Sequence, residues 1–187
     1  EGRTVEIKNE KTREETIRKE SSFMIKTPHT WLTIKDGALV ASAGVDESNA
    51  NGKLILLPKD SFKSAKMIRG KLRKHYKVKN LGVIITDSRL LPLRSGVVGI
   101  ALGYAGFKGV RDYRGERDIF GRILKVSRTD VADSLATASV LCMGEGSETQ
   151  PLAFIVDAPV VFSERTNRKE LFVDPKDDMY APFFKGL

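Results

Sequence analysis

The sequence predicts an α+β fold of mainly antiparallel sheets with about three helices, and three observations carry that prediction. Short apolar stretches alternate with polar residues and end at turn formers, as in "HTWLTIKDGALVASA" around Asp36-Gly37. Longer stretches place apolar residues at helical spacing behind a capping side chain. The two kinds of segment are interleaved without a regular βαβ rhythm, which argues against a parallel, doubly wound sheet.

In chain order, the first helix is expected over 11–26, opened by Thr12 with Glu15 three positions on as a capping box, and ended before Pro28. The Asp36-Gly37 hairpin follows. "GVDESNANG" is a polar loop of turn formers leading into the strand "KLILLP". Asp60 stands where it would cap a basic helix, "KSAKMIRGKLRKHYKVK" (Lys63 to Lys79), with Phe62, Ala65, Ile68 with Met67, and Leu72 facing inward. "LGVIIT" reads as a buried strand, and "SGVVGIALGYAG" as another whose glycines suggest a bulge or a close backbone approach. "GRILKVSR" alternates again. Thr129 is placed to cap the helix "DVADSLATASVLCM", which ends at Gly144. "PLAFIVDAPVVF" supplies one or two further strands before an acidic and aromatic tail.

The 187 residues are read as one domain, 1–187, long enough to bury a core. No apolar run approaches the ~20 residues of a membrane span, and the charged start "EGRTVEIKNEKTREETIRKE" is no signal peptide. A single cysteine, Cys142, excludes a disulfide framework; within "ASVLCMG" it is expected to be a buried thiol, and the setting cytoplasmic. The net charge of +8 favours an anionic partner. The cations are scattered among acids, so the basic cluster reads first as a solvated helix face; a small polyanion such as a nucleotide fits the charge equally well, and no nucleic-acid recognition element is visible.

No P-loop is present, since "GEGSET" lacks the closing Lys-Ser/Thr pair, and His29 and His75 are too far apart in sequence to form a metal pair. Carboxylates are the better candidates. Asp87 follows "GVIIT" and is expected at the end of a core strand; Asp118 lies in a turn, and Asp177 and Asp178 in the tail. Oxygen ligands of this kind suit Mg²⁺ or Mn²⁺, and Arg89, Arg94, Arg111, Arg114 and Arg122 supply planar forks for phosphates or carboxylates.

Several blocks resemble the coenzyme F-420-0 γ-glutamyl ligases. "ASAGVDESNANG" is similar to that family's "A-[NS]-A-G-[IV]-D-x-S-N" loop, and "LLPKDSFKSAKMIRGKL" to its "LLPxDPxxSAxxIRxxL" block. "VIITDS" with "PLRSGVVGIALGYAG", and "DYRGERDIFGRILKVSRTDVADSLATASVLCMGEG", match its later blocks in order across most of 36–146. The resemblance implies a ligase fold forming an intertwined homodimer. It also implies a reaction in which GTP (or ATP) and Mn²⁺ or Mg²⁺ drive amide formation between L-glutamate and a carboxylated cofactor through an acyl phosphate. It further implies Asp87, Asp118 and Asp177 as metal ligands and Arg94 and Arg114 as phosphoryl-stabilising groups. Asp46, Ser48 and Asn49 match the polar loop, and Asp177, Asp178, Met179 and Tyr180 the family's nucleotide-contacting tail. Asp133, in "VAD", matches too, although at a helix start it equally suits a cap or dipole role.

Two departures bear on function. The family's "TFGRPWRxGQ" is here "SRLLPLRSGV", so Leu90, Leu91 and Val97 change the acceptor pocket and make a folate-type pterin an alternative to the deazaflavin. The start, "EGRTV", resembles the point just after the family's "SKAEGR", which implies that an upstream nucleotide-contacting segment lies outside this chain. The alternative expectation is an inactive homologue that binds a pterin or flavin-like ligand.

Overall fold

The computed structural model describes residues 2–9 and 11–183, which hold three α-helices and nine strands, every ladder antiparallel. The α+β expectation therefore holds. By contact density the chain divides into two units, Glu1–Lys59 with Phe172–Leu187, and Asp60–Leu171.

The first unit comprises β1 (Arg3–Glu6), α1 (Lys11–Glu20), β2 (Phe23–Lys26), β3 (Trp31–Lys35), β4 (Ala38–Ala41) and β5 (Lys53–Leu56). β2, β3 and β4 form a meander, and β1 pairs with β5. Asp36 and Gly37 both take positive φ, 52° and 82°, as a two-residue hairpin turn between right-twisted strands requires. The core gathers Ile17, Ala43, Val45 and Leu54, flanked by Val5, Met24 and Trp31. A buried hydroxyl organises its polar side: Thr33 Oγ1 donates to the Val40 carbonyl (2.6 Å) and accepts from the Ala43 amide (2.8 Å). That amide belongs to a left-handed turn, with Ser42 at φ 49° and Ala43 at φ 54°. Such geometry is strained for side-chain-bearing residues and persists where its surroundings hold it.

The same unit carries a partly buried ion cluster. Glu20, the last residue of α1, accepts from Arg3 of β1 (3.0 Å) and from Lys35 of β3 (2.8 Å). The Arg3 guanidinium, opposed by burial and aided by Lys35, holds the Glu20 carboxyl down at about 2.

The second unit comprises α2 (Ser61–Tyr76), β6 (Val83–Leu90), β7 (Val97–Ala105), β8 (Val110–Asp112), β9 (Arg128–Asp130) and α3 (Val131–Met143). Asp60 caps α2 by accepting from the Lys63 amide (2.8 Å), as expected. β6 and β7 form a ladder whose register shifts between Ile85 and Thr86, so the glycine-spaced strand does carry a bulge. Both helices lean on β7 at its glycines. A Cβ on Gly103 would lie 2.5 Å from the backbone at Ser61 and Phe62 of α2, and one on Gly99 would overlap the Ala136 carbonyl of α3. Tyr104 and Phe107 form the core with Ala132, and the Tyr104 ring lies 5.3 Å from Phe62 and 5.2 Å from Phe107.

Several sequence expectations give way. The first helix ends at Glu20, and 23–26 forms β2 instead, pairing with β3. Its start is capped by Asn9, whose Oδ1 accepts from the Lys11 and Thr12 amides, rather than by a Thr12–Glu15 box. In α2, Met67 and Ile68 are exposed while Arg69 is buried. Arg69 earns that position through a bidentate pair with Glu164 (2.9 Å each) and a bond to the Leu81 carbonyl. "PLAFIVDAPVVF" forms no regular strand among the described residues, only an isolated bridge from Phe162 to Phe107. α3 is capped by Asp130 rather than Thr129, and Cys142 is exposed rather than buried.

Two stability predictions follow from this packing. Glu20 has a depressed folded-state value, so its contribution is present above its ordinary range and fades as pH falls from about 4.5 towards about 2. Glu20→Gln should therefore cost about 2–3 kcal/mol at pH 7 in denaturant titrations and progressively less as the pH is lowered through that window. Gly99→Ala should destabilise by about 1–3 kcal/mol, because the new methyl meets a helix carbonyl rather than a mobile side chain; an unchanged melting midpoint would contradict that packing.

Candidate active site

A polar arrangement of the second unit forms where α3 meets β7. A ladder of two strands leaves outer-edge amides and carbonyls without strand partners. α3 satisfies two of them with side chains four residues apart. Asp133 Oδ1 accepts from the Ala101 amide (2.9 Å), and Thr137 Oγ1 donates to the Gly99 carbonyl (2.8 Å). Spacing of i, i+4 puts both on one helix face, and glycine at 99 lets that face come close.

Asp87 lies across the ladder from this stretch, because its register partner is Ile100, between Gly99 and Ala101. It is half-buried. The expected strand end is displaced: β6 continues through Ser88 and Arg89 to Leu90, so Asp87 is presented from inside a strand. Arg89 reaches from the same strand towards α3, its Nη2 3.8 Å from Asp133 Oδ2. Its buried Nε has no hydrogen-bond partner among the described residues.

Asp130 completes the group by accepting from the Asp133 amide (2.9 Å). Desolvation of its carboxyl, together with the charge of Asp133, outweighs that bond and Arg89 and pushes Asp130 up to about 6. The structure thus gathers Asp130, Asp133 and Arg89 next to the β7 stretch paired with Asp87. Asp130 is the member that sequence reasoning missed. The signal was present in "TDVAD", where an aspartate three residues before another is itself a cap pattern.

The other candidates lie in tight turns. Asp118 Oδ1 accepts from the Phe120 (2.9 Å) and Arg122 (2.8 Å) amides, closing a turn in a projecting loop whose Ile119 and Phe120 are almost fully exposed. Arg114 is held by Asp112 through bonds of 2.9 and 3.0 Å from its Nε, and the same guanidinium keeps Asp112 down at about 2. Arg94 is exposed in the turn joining β6 to β7. Among the described residues no three His, Cys, Asp or Glu side chains converge into a group able to hold a metal.

In the first unit, Asp46 organises its own loop, accepting from the Glu47 (2.7 Å) and Ser48 (3.0 Å) amides and from the Ser48 hydroxyl. Partial burial pushes its carboxyl up, but these bonds prevail and hold it below the usual range. Ser48 and Asn49 are exposed beside it. In the tail, Asp178 Oδ1 accepts from the Tyr180 amide (2.8 Å), while Asp177, Met179 and Tyr180 are exposed. The segment is anchored nearby by Phe172, whose ring covers Gly37 of the β3–β4 hairpin.

No helix among the described residues is long and apolar enough to cross a membrane. The chain is 39% identical over 166 residues to the coenzyme F420:L-glutamate ligase of Methanococcus maripaludis strain C7, a match covering 89% of this chain and 64% of that protein. It is 42% identical over 140 residues to the ligase of the same name from Methanopyrus kandleri, covering 73% and 55%. The Methanocaldococcus jannaschii counterpart is 40% identical over 144 residues, covering 77% and 57%. In these matches the chain spans less than two thirds of each relative's length. The family model described as F420-0:γ-glutamyl ligase matches residues 4–157, a stretch that includes β6, β7 and α3, and the chain belongs to that family.

Proposed function

We propose that the protein is a nucleotide- and divalent-metal-dependent γ-glutamyl ligase, joining L-glutamate by an amide to a carboxylated coenzyme F-420 precursor. The observation that carries this reading is the placement of Asp87 opposite the β7 stretch that binds Asp133, with Arg89 reaching towards that carboxylate, inside the region matched by the family.

A carboxylate acylates an amine only after activation, and phosphorylation by GTP or ATP supplies an acyl phosphate with a leaving group. The protein's task is then to position the reactants and offset phosphoryl charge. Asp87 and Asp118 of the second unit are proposed to take Mg²⁺ or Mn²⁺, and Asp177, in the tail of the first unit, is proposed as a ligand in its own right; among the described residues no three such side chains converge. These aspartates fit such an ion in kind, offering carboxylate oxygens, and Mg²⁺ commonly takes one or two carboxylates with water and phosphate filling the rest. Bound there, the cation would screen the triphosphate. Asp118 would contribute through Oδ2, since its Oδ1 serves two amides.

Arg94, exposed in the β6–β7 turn, and Arg89, whose Nε has no partner among the described residues, are proposed as the cations that offset phosphoryl charge. Arg114 would have to leave Asp112 first. The loop of Asp46, Ser48 and Asn49 and the tail of Asp177, Asp178, Met179 and Tyr180 are proposed to contact nucleotide or substrate. The cross-strand pair Leu90–Val97, with both residues exposed, offers an apolar face for a flat heteroaromatic acceptor, which suits a deazaflavin and also a folate. Exposed Ile119, Phe120 and Leu141 support a homodimer, the assembly we propose.

The test is phosphate release from GTP or ATP with Mn²⁺, L-glutamate and either acceptor. We expect release with the F-420 precursor; release only with folate would reassign the acceptor, and release with neither would favour a ligand-binding homologue. Asp87→Asn should lower turnover at least about 100-fold while the melting temperature moves only a few degrees, since the change is nearly isosteric. Light scattering at micromolar concentration should give a dimer mass, and a monomer would contradict the assembly.

A further inference from the structure

Gly109 is a buried peptide with both of its polar groups engaged. Its carbonyl accepts from the Val131 (2.8 Å) and Ala132 (3.1 Å) amides, the first two of α3. A helix start leaves amides without intrahelical partners, so this one carbonyl fixes where the first turn begins. The Gly109 amide in turn donates to Glu170 Oε1 (2.7 Å). That oxygen also accepts from the hydroxyl of Tyr104, a fully buried residue of β7, with the Asn167 carbonyl 3.3 Å from the same hydroxyl. A Cβ at 109 would overlap the Tyr104 hydroxyl oxygen and the ring carbon that bears it, so the contact admits glycine alone. Burial and the Glu170 carboxylate raise the Tyr104 phenol well above its ordinary value, so it stays protonated and donates.

We propose that Glu170, acting through Gly109, is a positioning residue for the acidic start of α3. Its carboxylate fixes the peptide that holds the first turn, and so sets where Asp130 and Asp133 stand against β7 and Arg89. The sequence separation is large, 61 residues from Gly109 to Glu170. A segment beyond the family-matched stretch, which ends at residue 157, thereby controls geometry within it. Glu170 touches no candidate reacting group, so its effect on catalysis is indirect. That catalytic consequence rests on the ligase reading above, whereas the structural link does not.

Amide hydrogen exchange on the full chain, followed by NMR, separates the two. Glu170→Ala should speed exchange at Gly109, Val131 and Ala132 about tenfold or more, while Val140 to Met143 at the far end of α3 stay within about twofold. Glu170→Gln keeps an acceptor oxygen and should restore most of the protection. Should Glu170→Ala fail to fold, Tyr104→Phe, which removes the other donor to that carboxylate, reads the same amides. In the ligase assay Glu170→Ala should lower kcat about 10–100-fold with the KM for glutamate little changed, the scale expected when a supporting residue is lost. Unchanged exchange in the first turn of α3, or an equal acceleration across the whole unit, would overturn the assignment. Absence of any turnover in the wild-type protein would refute the ligase reading and leave the exchange result to decide the positioning role.

Discussion

The outer edge of β7 is the constraint on which the second unit depends. Amides and carbonyls there would be costly to bury unpaired, and a third strand is one way to satisfy them. This chain uses a helix instead. Asp133 and Thr137 replace a strand's alternating donors and acceptors at Ala101 and Gly99, and the price of that substitution is a close backbone approach that only glycine permits at 99. A carboxylate spent on a backbone amide is also one placed within a fixed distance of the neighbouring strand, so the need to cover an edge and the need to present acidic groups are met by the same residue.

Charge is arranged in two ways. Glu20, Asp112 and Glu164 each face guanidinium or ammonium groups and are held near 2, as expected of carboxylates that knit structure together. Asp130 goes the other way, to about 6: the residue is exposed as a whole, yet desolvation of its carboxyl and the neighbouring Asp133 outweigh its hydrogen bond and Arg89. Carboxyl groups pushed towards neutrality collect at functional sites more often than in scaffolding. Here the displaced group stands beside the strand stretch opposite Asp87.

Much of this was legible in the sequence where short-range rules decide. The Asp36-Gly37 hairpin, the Asp60 cap and the bulge in the glycine-spaced strand depend on neighbours within a few residues, and each was read correctly. Family membership was likewise carried by contiguous blocks. The failures are long-range. Arg69 looked like one cation among many on a solvated helix, because its partner Glu164 is 95 residues away. "PLAFIVDAPVVF" has strand composition, yet only Phe162 finds a bridging partner among the described residues, so propensity had no ladder to join. Asp87 was recognised by motif, but that β6 runs past it to Leu90 depends on β7 extending back to Val97.

The left-handed turn at Ser42 and Ala43 changes how the neighbouring "ASAGVDESN" block should be interpreted. Three consecutive residues from 42 to 44 have positive φ, pinned by the Thr33 hydroxyl, and a Cβ on Gly44 would strike Leu57. Small side chains there are dictated by handedness and clearance. Of the whole signature, then, the first half encodes a change of chain direction, and the exposed residues after Val45, themselves ordered by Asp46, are the part turned towards solvent.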